Sequence, residues 1–403
     1  MSIPKKTFVC PYCFERRELT QVQLRCTNRR CGDFDDIEMT RYENGNLQRP
    51  KQGKRTFTVP GRNSFAAPFS GRCPECGSTT YKRVCPSCHN ELPESTLNGT
   101  DMIISVVGSR ASGKSHFVGV LIEELQRVAN KFGGSLEGFA DSYARWKDGF
   151  YTSLYENGQK LPLNQSALQN PDNGTYRPLI FKLNFRRRAL LRDVIDSYTV
   201  VFFDTAGEDL NNQDTMNTVN KYICKSAGII FLLDPMQIPT VANQLNSSVV
   251  ECASAIRLNQ AAKPDDIMTR VSQLIRNDRH LPQNRVIDIP VAAVFSKFDA
   301  IESIVPEDFT VRSPSPHCNE QCFDMSDWHN VNSEIQALLK MWDATAFTSQ
   351  LETNYKKYTY FAVSALGLNN NPTKDGRIQR PRPHRIEDPL LWILKENGVI
   401  KGR

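Results

Sequence analysis

The chain has 403 residues, 39% of them hydrophobic, and a formal net charge of +6. That length is more than one ordinary small domain and enough to bury a large core. Its basic residues are scattered, with Arg186-Arg187-Arg188 the only tight run, which leaves nucleic-acid binding weakly supported. No stretch reaches the ~18 to 20 uninterrupted apolar residues of a membrane span, and Met1-Ser2-Ile3-Pro4-Lys5-Lys6 is not followed by an apolar signal core. A cytoplasmic protein with no membrane contact is predicted.

Residues 1–97 are loop-rich, with many turn residues, short β-like runs such as Arg55-Thr56-Phe57-Thr58-Val59, and no apolar periodicity that would build a core. Eight of the twelve cysteines crowd here. In a large intracellular chain, closely spaced pairs point to metal ligation rather than disulfides. Cys10, Cys13, Cys26 and Cys31 make one candidate zinc quartet, and Cys73, Cys76, Cys85 and Cys88 another with stronger spacing. A CxxC pair converges two sulfurs from one turn, and two such turns complete a tetrahedron. Pairing interleaved between the quartets is also compatible with the spacing. His89, beside Cys88, is read as a bystander. Two Zn²⁺ are expected, and without them this region is expected to lack a stable fold.

From Met102 apolar strands alternate with amphipathic helices, the pattern of a mostly parallel, doubly wound α/β sheet. The boundary falls near Glu94 to Thr100, giving a small zinc-ribbon region at 1–97 and a P-loop domain at 98–403. Strands are predicted at Met102 to Val107, Leu179 to Arg186, Tyr198 to Phe203, Gly228 to Leu233, Val291 to Phe295 and Tyr358 to Val363. Helices are predicted at Ser115 to Lys131, Thr240 to Leu258, Asp265 to Ile275, Val331 to Leu351 and Pro389 to Glu396, the last capped by Asp388. Insertions are placed near 135–173, with a helix around Asp141 to Glu156, and near 301–357. His317, Cys318 and Cys322 in the second insertion are read as loop residues, too few for a closed zinc site.

Directly after the first of these strands comes Gly108-Ser109-Arg110-Ala111-Ser112-Gly113-Lys114-Ser115, followed by His116 and an unbroken helical pattern. This is GxxxxGK[ST] in its required context, a loop whose backbone N–H groups can surround phosphates at the positive end of a helix. Lys114 would reach the β- and γ-phosphates, and the Ser115 hydroxyl would ligate Mg²⁺. The third strand runs into Asp204-Thr205-Ala206-Gly207-Glu208. Asp204, at a strand's carboxyl end, would hold Mg²⁺ through water, and Gly207 can offer an unhindered N–H to a γ-phosphate. Two later strands end in Ser296-Lys297-Phe298-Asp299 and Ser364-Ala365-Leu366, on the same predicted sheet edge.

In their order, these four loops resemble those of the Ras-like, translation-factor class of GTPases, which read GxxxxGK[ST], DxxG, [NT]KxD and SA[KL]. The resemblance spans roughly residues 102–366. It implies GTP and GDP as ligands, Asp299 as acceptor for the guanine ring, Lys297 packed over the base, and the Ala365 N–H facing the guanine carbonyl. Ser296 stands where Asn or Thr is usual. It also implies a switch threonine, assigned to Thr175, as a further Mg²⁺ ligand. Glu208 stands where a water-positioning Gln is usual, and Arg110 is the nearest candidate for an arginine finger in cis. Slow intrinsic hydrolysis is therefore expected.

With the cysteine pairs and the segment Arg385-Ile386-Glu387-Asp388-Pro389-Leu390-Leu391-Trp392-Ile393-Leu394, the chain resembles the bacterial double-GTPase family. That resemblance implies a conflict or antiviral defence setting, with a second GTPase and an effector as protein partners. The competing reading is a zinc-ribbon nucleic-acid-binding P-loop ATPase, drawing on Lys5, Lys6, Arg16, Arg17, Arg29, Arg30, Lys51, Lys54 and Arg55. Against it, Asp36, Glu38, Glu75 and Glu91 interrupt that charge.

Overall fold

The computed structural model describes residues 7–59, 66–98, 101–109, 111–162, 177–188, 193–204, 221–245, 263–317, 322–367 and 377–403, with the backbone alone for Arg187, Arg188, Asp193 and Asp204. Arg110, Thr175, Gly207, Glu208 and Cys318, which the motifs single out, lie outside these residues.

Short strands build the front of the chain: β1 (Thr7–Val9), β2 (Arg16–Glu18), β3 (Gln23–Arg25), β4 (Asp33–Asp35), β5 (Gln52–Lys54), β6 (Thr56–Phe57), β7 (Gly71–Arg72), β8 (Thr79–Thr80) and β9 (Lys82–Val84). They pair antiparallel as hairpins β1–β2, β4–β5 and β7–β8 and a small sheet β6-β3-β9. Such two- and three-residue strands cannot be stable alone.

The large sheet follows: β10 (Asp101–Gly108), β11 (Gly134–Gly138), β12 (Leu179–Arg188), β13 (Asp193–Asp204), β14 (Gly228–Leu233), β15 (Val291–Phe295) and β16 (Tyr358–Ala362), in the order β11-β12-β13-β10-β14-β15-β16. Strands β13, β10, β14, β15 and β16 run parallel, while β12 is antiparallel to both its neighbours. Every residue of β14 and β15 is buried, as expected for a parallel sheet covered on both faces. The helix Lys114–Lys131 turns Phe117, Leu121, Leu125 and Val128 inward at spacings of three and four, one apolar face against the sheet. The 135–173 stretch does hold helical structure, Ser142–Trp146 running into a π-helical turn at Lys147–Glu156. It packs on that same helix: the Trp146 indole donates to Gly119 O at 2.9 Å, and a Cβ on Gly119 would stand 2.8 Å from the Phe150 ring.

Three expectations change. The stretch read as an insertion from 135 opens with the edge strand β11, pairing antiparallel with β12 from Gly134 opposite Phe185 to Gly138 opposite Phe181. The helix expected over Val331 to Leu351 is two, Met325–Met341 and Thr345–Asn354, separated where Asp343 takes a left-handed φ of 56°. Of the helix expected over Thr240 to Leu258, the described residues show Pro239–Gln244, and 246–258 lie outside them. Asp388 does not cap the last helix, Asp388–Glu396; it is the first residue inside, and its carboxylate takes the Arg385 guanidinium.

The front of the chain is also not without a core. Phe8, Tyr12, Phe14, Leu19, Val22, Leu92 and Leu97 are buried in the same apolar cluster as the large sheet. Phe14 lies edge-on to Phe203 of β13, with ring centroids 5.6 Å apart, and the Ser95 and Thr96 hydroxyls reach the Thr199 hydroxyl of β13 at 2.6 and 3.1 Å. The apolar residues follow no regular helical or strand period that the sequence would show; the hairpins bring them to one face.

Candidate phosphate, base and metal sites

Parallel strands place their carboxyl ends on one edge, the usual ligand-binding edge of an open α/β sheet. The GxxxxGKS loop leaves β10 there. Gly108 sits opposite Leu232 in the ladder, and a Cβ on it would stand 2.6 Å from Leu232 O and 2.7 Å from Ser112 Oγ; the loop crosses β14 too closely for any side chain. Ala111 at φ 61° and Gly113 at φ 86° turn the chain back into the helix. The Lys114 ammonium donates to the carbonyls of Gly108 and Ser109 at 3.0 and 2.8 Å, so it already lies along the inside of the loop. Ser112 Oγ is buried with no hydrogen-bond partner, and Gly113 supplies no side-chain cap to the helix. A buried unpartnered hydroxyl and an uncapped helix start fit an anion accepting N–H and O–H bonds. Ser115 lies in the first turn of that helix. His116 turns away from the loop: its Nε2 accepts the Leu161 N–H at 3.2 Å. Burial, with Lys160 and Lys297 adding to it, pushes its pKa down to about 4, keeping the ring neutral. The backbone of Asp204 ends β13 opposite Val106.

The turn after β14 braces these loops. Ser109 Oγ and the Gln237 amide bond each other at 2.8 to 3.0 Å. Buried Asp234 accepts the Lys297 ammonium at 2.6 Å and the Met236 N–H at 3.0 Å. Neither Asp234 nor Gln237 stands in a recognised motif; an Asp-Pro directly after an all-apolar strand was the available signal. Ser296 ties β15 back to β14, its N–H and Oγ both donating to Leu233 O at 3.0 and 3.2 Å. The two remaining loops meet directly. Ser364 Oγ donates to Asp299 Oδ1 at 2.6 Å and accepts the Gly367 N–H at 2.9 Å, and the Phe298 N–H bonds Val363 O. Ala365 is buried and Leu366 half-buried beside them. The structure therefore brings Ser296, Lys297, Asp299, Ser364, Ala365 and Leu366 together. They lie two to three strand spacings from β10, roughly 10 to 14 Å.

The cysteines form two tetrads, but not the two quartets of the sequence order. Cys10 and Cys13 join Cys85 and Cys88, and Cys26 and Cys31 join Cys73 and Cys76. Antiparallel pairing of β3 with β9 folds the second half of the front region back over the first, so the partners come from opposite ends. The closest sulfurs are 3.7 and 3.8 Å apart in the first tetrad and 3.6 and 4.0 Å in the second. Four thiolates about 2.3 Å from one zinc stand ~3.8 Å apart, so both tetrads have the dimensions of a zinc site. After each CxxC the chain turns on a left-handed residue, Phe14, Gly77 or His89. Burial drives the Cys10 and Cys88 thiols up, while hydrogen bonds from Cys10, Cys13 and Cys88 drive Cys85 down. Zinc would remove that conflict by holding all four as thiolates. His89 is outside the tetrad, with Nδ1 2.6 Å from Asp36 Oδ1. Burial alone would raise the Asp36 pKa; His89, the Met39 N–H and Arg25 hold it below the ordinary value.

His317 stands in a turn, as expected, but it is not a solvent-facing residue. It is fully buried, stacked on Phe323, with Nε2 3.6 Å from Oδ2 of both Asp327 and Asp388. Three such side chains could in principle hold a cation. The proton position argues otherwise: His317 Nδ1 accepts the Asp324 N–H at 3.1 Å, so a neutral ring carries its hydrogen on Nε2 and has no lone pair there for a metal. Arg385 donates to both carboxylates at 2.7 to 2.8 Å. The cluster is an ionic clasp between the helices Met325–Met341 and Asp388–Glu396. Cys322 is in none of the metal-sized groups among the described residues.

No family model matches the chain. A curated relative from Mycolicibacterium smegmatis, described as a putative ESX-1 scaffolding and assembly protein SaeC, is 25% identical over 345 residues, covering 79% of this chain and 80% of its own length. Among solved structures, the Ski7 GTPase-like domain of S. cerevisiae, bound to GTP, is similar at a TM-score of 0.32 and 14% identity over 77% of this chain. This chain spans 54% of the length of that one. No helix among the described residues is long and apolar enough to cross a membrane.

Proposed function

We propose that this chain is a zinc-containing guanine-nucleotide switch that works by binding a protein partner. The observation that carries the reading is the junction of Asp299 with Ser364 on the same sheet edge as the phosphate loop. Its carboxylate, held from one side at Oδ1, can accept the two N–H groups of a guanine edge, whereas adenine would leave it unpaired. The separation from β10 matches what a nucleoside triphosphate has to bridge.

In this reading Lys114 and the loop Gly108 to Ser115 hold the phosphates, and Ser115, Thr175 and Asp204 hold Mg²⁺, which would neutralise charge between the β- and γ-phosphates. Gly207 and Thr175 sense the γ-phosphate. Glu208 orients water and Arg110 stabilises developing charge, with slow turnover. A protein partner suits the M. smegmatis relative's description as a putative scaffolding and assembly protein. No feature of the described residues favours the defence setting over an assembly role.

The test is nucleotide preference. Purified protein should retain GDP or GTP and bind it far more tightly than ATP, and Asp299→Ala should abolish that preference. Equal affinity for ATP, or an unchanged preference in Asp299→Ala, would overturn the guanine assignment and favour the P-loop ATPase reading.

A further inference from the structure

The two cysteine tetrads differ in what they touch. Cys26, Cys31 and Cys73 form a small cluster of their own, with Phe34, Phe57 and Cys76 against it. Cys10, Cys85 and Cys88 belong to the main core. The turn that closes the first CxxC runs Cys13-Phe14-Glu15, with Phe14 N–H bonded to Cys10 O at 3.0 Å and Cys10 N–H bonded to Glu15 O at 3.0 Å. The left-handed φ of 56° at Phe14 aims a fully buried ring between two others: Phe203, at 5.6 Å, and Tyr222, at 5.2 Å, which themselves meet edge-to-face at 5.0 Å. Tyr222 is pinned in turn. Its hydroxyl accepts the Phe203 N–H at 3.1 Å and donates to Ile104 O, linking β13 to β10. On the adjacent residues the Glu15 carboxylate takes the Lys221 ammonium at 2.6 Å. Phe203 is the residue before Asp204.

We propose that the inner tetrad, Cys10, Cys13, Cys85 and Cys88, is a strut for the end of the strand that carries Asp204, with Phe14 as its positioning residue. Metal in this tetrad holds the Phe14 turn rigid. The ring fixes Phe203 against Tyr222, and so fixes where β13 delivers its terminal carboxylate. Zinc in the inner tetrad thereby sets the Mg²⁺-dependent part of nucleotide affinity, and zinc in the outer tetrad does not. The nucleotide half of this inference rests on the guanine-nucleotide reading; the strut itself does not.

The experiment compares full-length wild type, Phe14→Ala, Phe14→Leu and the outer-tetrad variant Cys26→Ser/Cys76→Ser. It reads three things: zinc per chain, amide exchange across the chain, and GDP dissociation in Mg²⁺ and in EDTA. Phe14→Ala should keep two zincs yet lose protection at 200–204 and 221–224 while β16 is unchanged. Its ratio of EDTA to Mg²⁺ dissociation rates should shrink at least about tenfold through the Mg²⁺ rate alone. Phe14→Leu, which keeps apolar bulk, should recover much of both. The outer-tetrad variant should lose one zinc and leave exchange at β13 and the ratio as in wild type. A merely structural loss would raise both dissociation rates together. Unchanged exchange at 200–204 in Phe14→Ala, equal loss in both arms, or the same effect from the outer tetrad would overturn the proposal. If wild type binds no guanine nucleotide, that earlier reading fails, and the exchange data alone decide the strut.

Discussion

Replacing each glycine of the phosphate loop with alanine should destabilise the protein for different reasons and by different amounts. At Gly108 the added Cβ would lie 2.6 Å from Leu232 O, 2.7 Å from Ser112 Oγ and 3.2 Å from Leu232 Cβ. The hydroxyl can rotate away, but the carbonyl belongs to a neighbouring strand in register with β10, so relief requires parting the two central strands. Overpacking of this kind costs typically 1 to 3 kcal/mol, and a backbone obstacle puts Gly108→Ala near about 3 kcal/mol. At Gly113 nothing lies within 4 Å of the added Cβ, and only the φ of 86° is at issue. A left-handed non-glycine residue costs about 1 to 2 kcal/mol, and Gly113→Asn, which tolerates that region, should cost less than Gly113→Ala. Urea unfolding read by far-UV circular dichroism should show Gly108→Ala losing roughly twice as much midpoint stability as Gly113→Ala, with Gly113→Asn the mildest. Equal losses, or a larger loss in Gly113→Ala, would refute the steric reading of the loop.

Metal analysis should find two zincs per chain, and paired Cys→Ser changes should report the pairing. Cys10 with Cys85 should cost one zinc, and Cys10 with Cys26 should cost both, the reverse of what the sequence-order quartets require. Lys114→Ala removes the ammonium that lies along the phosphate loop; it should abolish Mg²⁺-nucleotide binding with zinc content unchanged, and retained tight GTP binding in a filter assay would sink the phosphate-loop assignment. Arg110→Ala should slow single-turnover GTP hydrolysis at least about tenfold, ~1.4 kcal/mol of transition-state stabilisation, with affinity little changed. Unchanged turnover would leave the finger to a partner.

The strands of the α/β sheet and the phosphate loop were legible because their signals are local. Met102 to Val107 and Val291 to Phe295 are continuous apolar runs, and Gly113-Lys114-Ser115 sits where a strand must become a helix. What was missed is non-local. β11 reads Gly-Ser-Leu-Glu-Gly, without β-branched or aromatic residues, and exists because β12 offers it an edge. The cysteine pairing depends on β3 meeting β9, which no spacing records. Phe14 carries no local signal, because its partners Phe203 and Tyr222 lie about two hundred residues away. His317 carries no motif at all; its clasp with Asp327, Arg385 and Asp388 is assembled by tertiary packing.

The seam between the front hairpins and the sheet also makes stability depend on pH, through the first residue of β10. Asp101 Oδ2 accepts the Val9 N–H of β1 at 3.4 Å, while its Oδ1 is buried with no hydrogen-bond partner. Burial raises its pKa to about 7, and the Thr96 hydroxyl and the Val9 N–H pull it only part of the way back. Unfolded, the same carboxyl ionises near its ordinary value of about 3.9. Between these values the folded chain holds a proton that the unfolded chain has released, so stability from this group falls as pH rises. The contribution is complete below about pH 4, declines through pH 7, and is gone above it. Asp101→Asn keeps an acceptor for Val9 and Thr96 and removes the charge. It should match wild type at pH 4 and exceed it by about 1 to 3 kcal/mol at pH 8, an order of magnitude set by the displacement of the pKa. Chemical denaturation at both pH values measures the difference. If the difference between the two proteins is instead the same at pH 4 and pH 8, Asp101 is ionised in the folded state throughout, and the seam is held by a charged carboxylate rather than a neutral one.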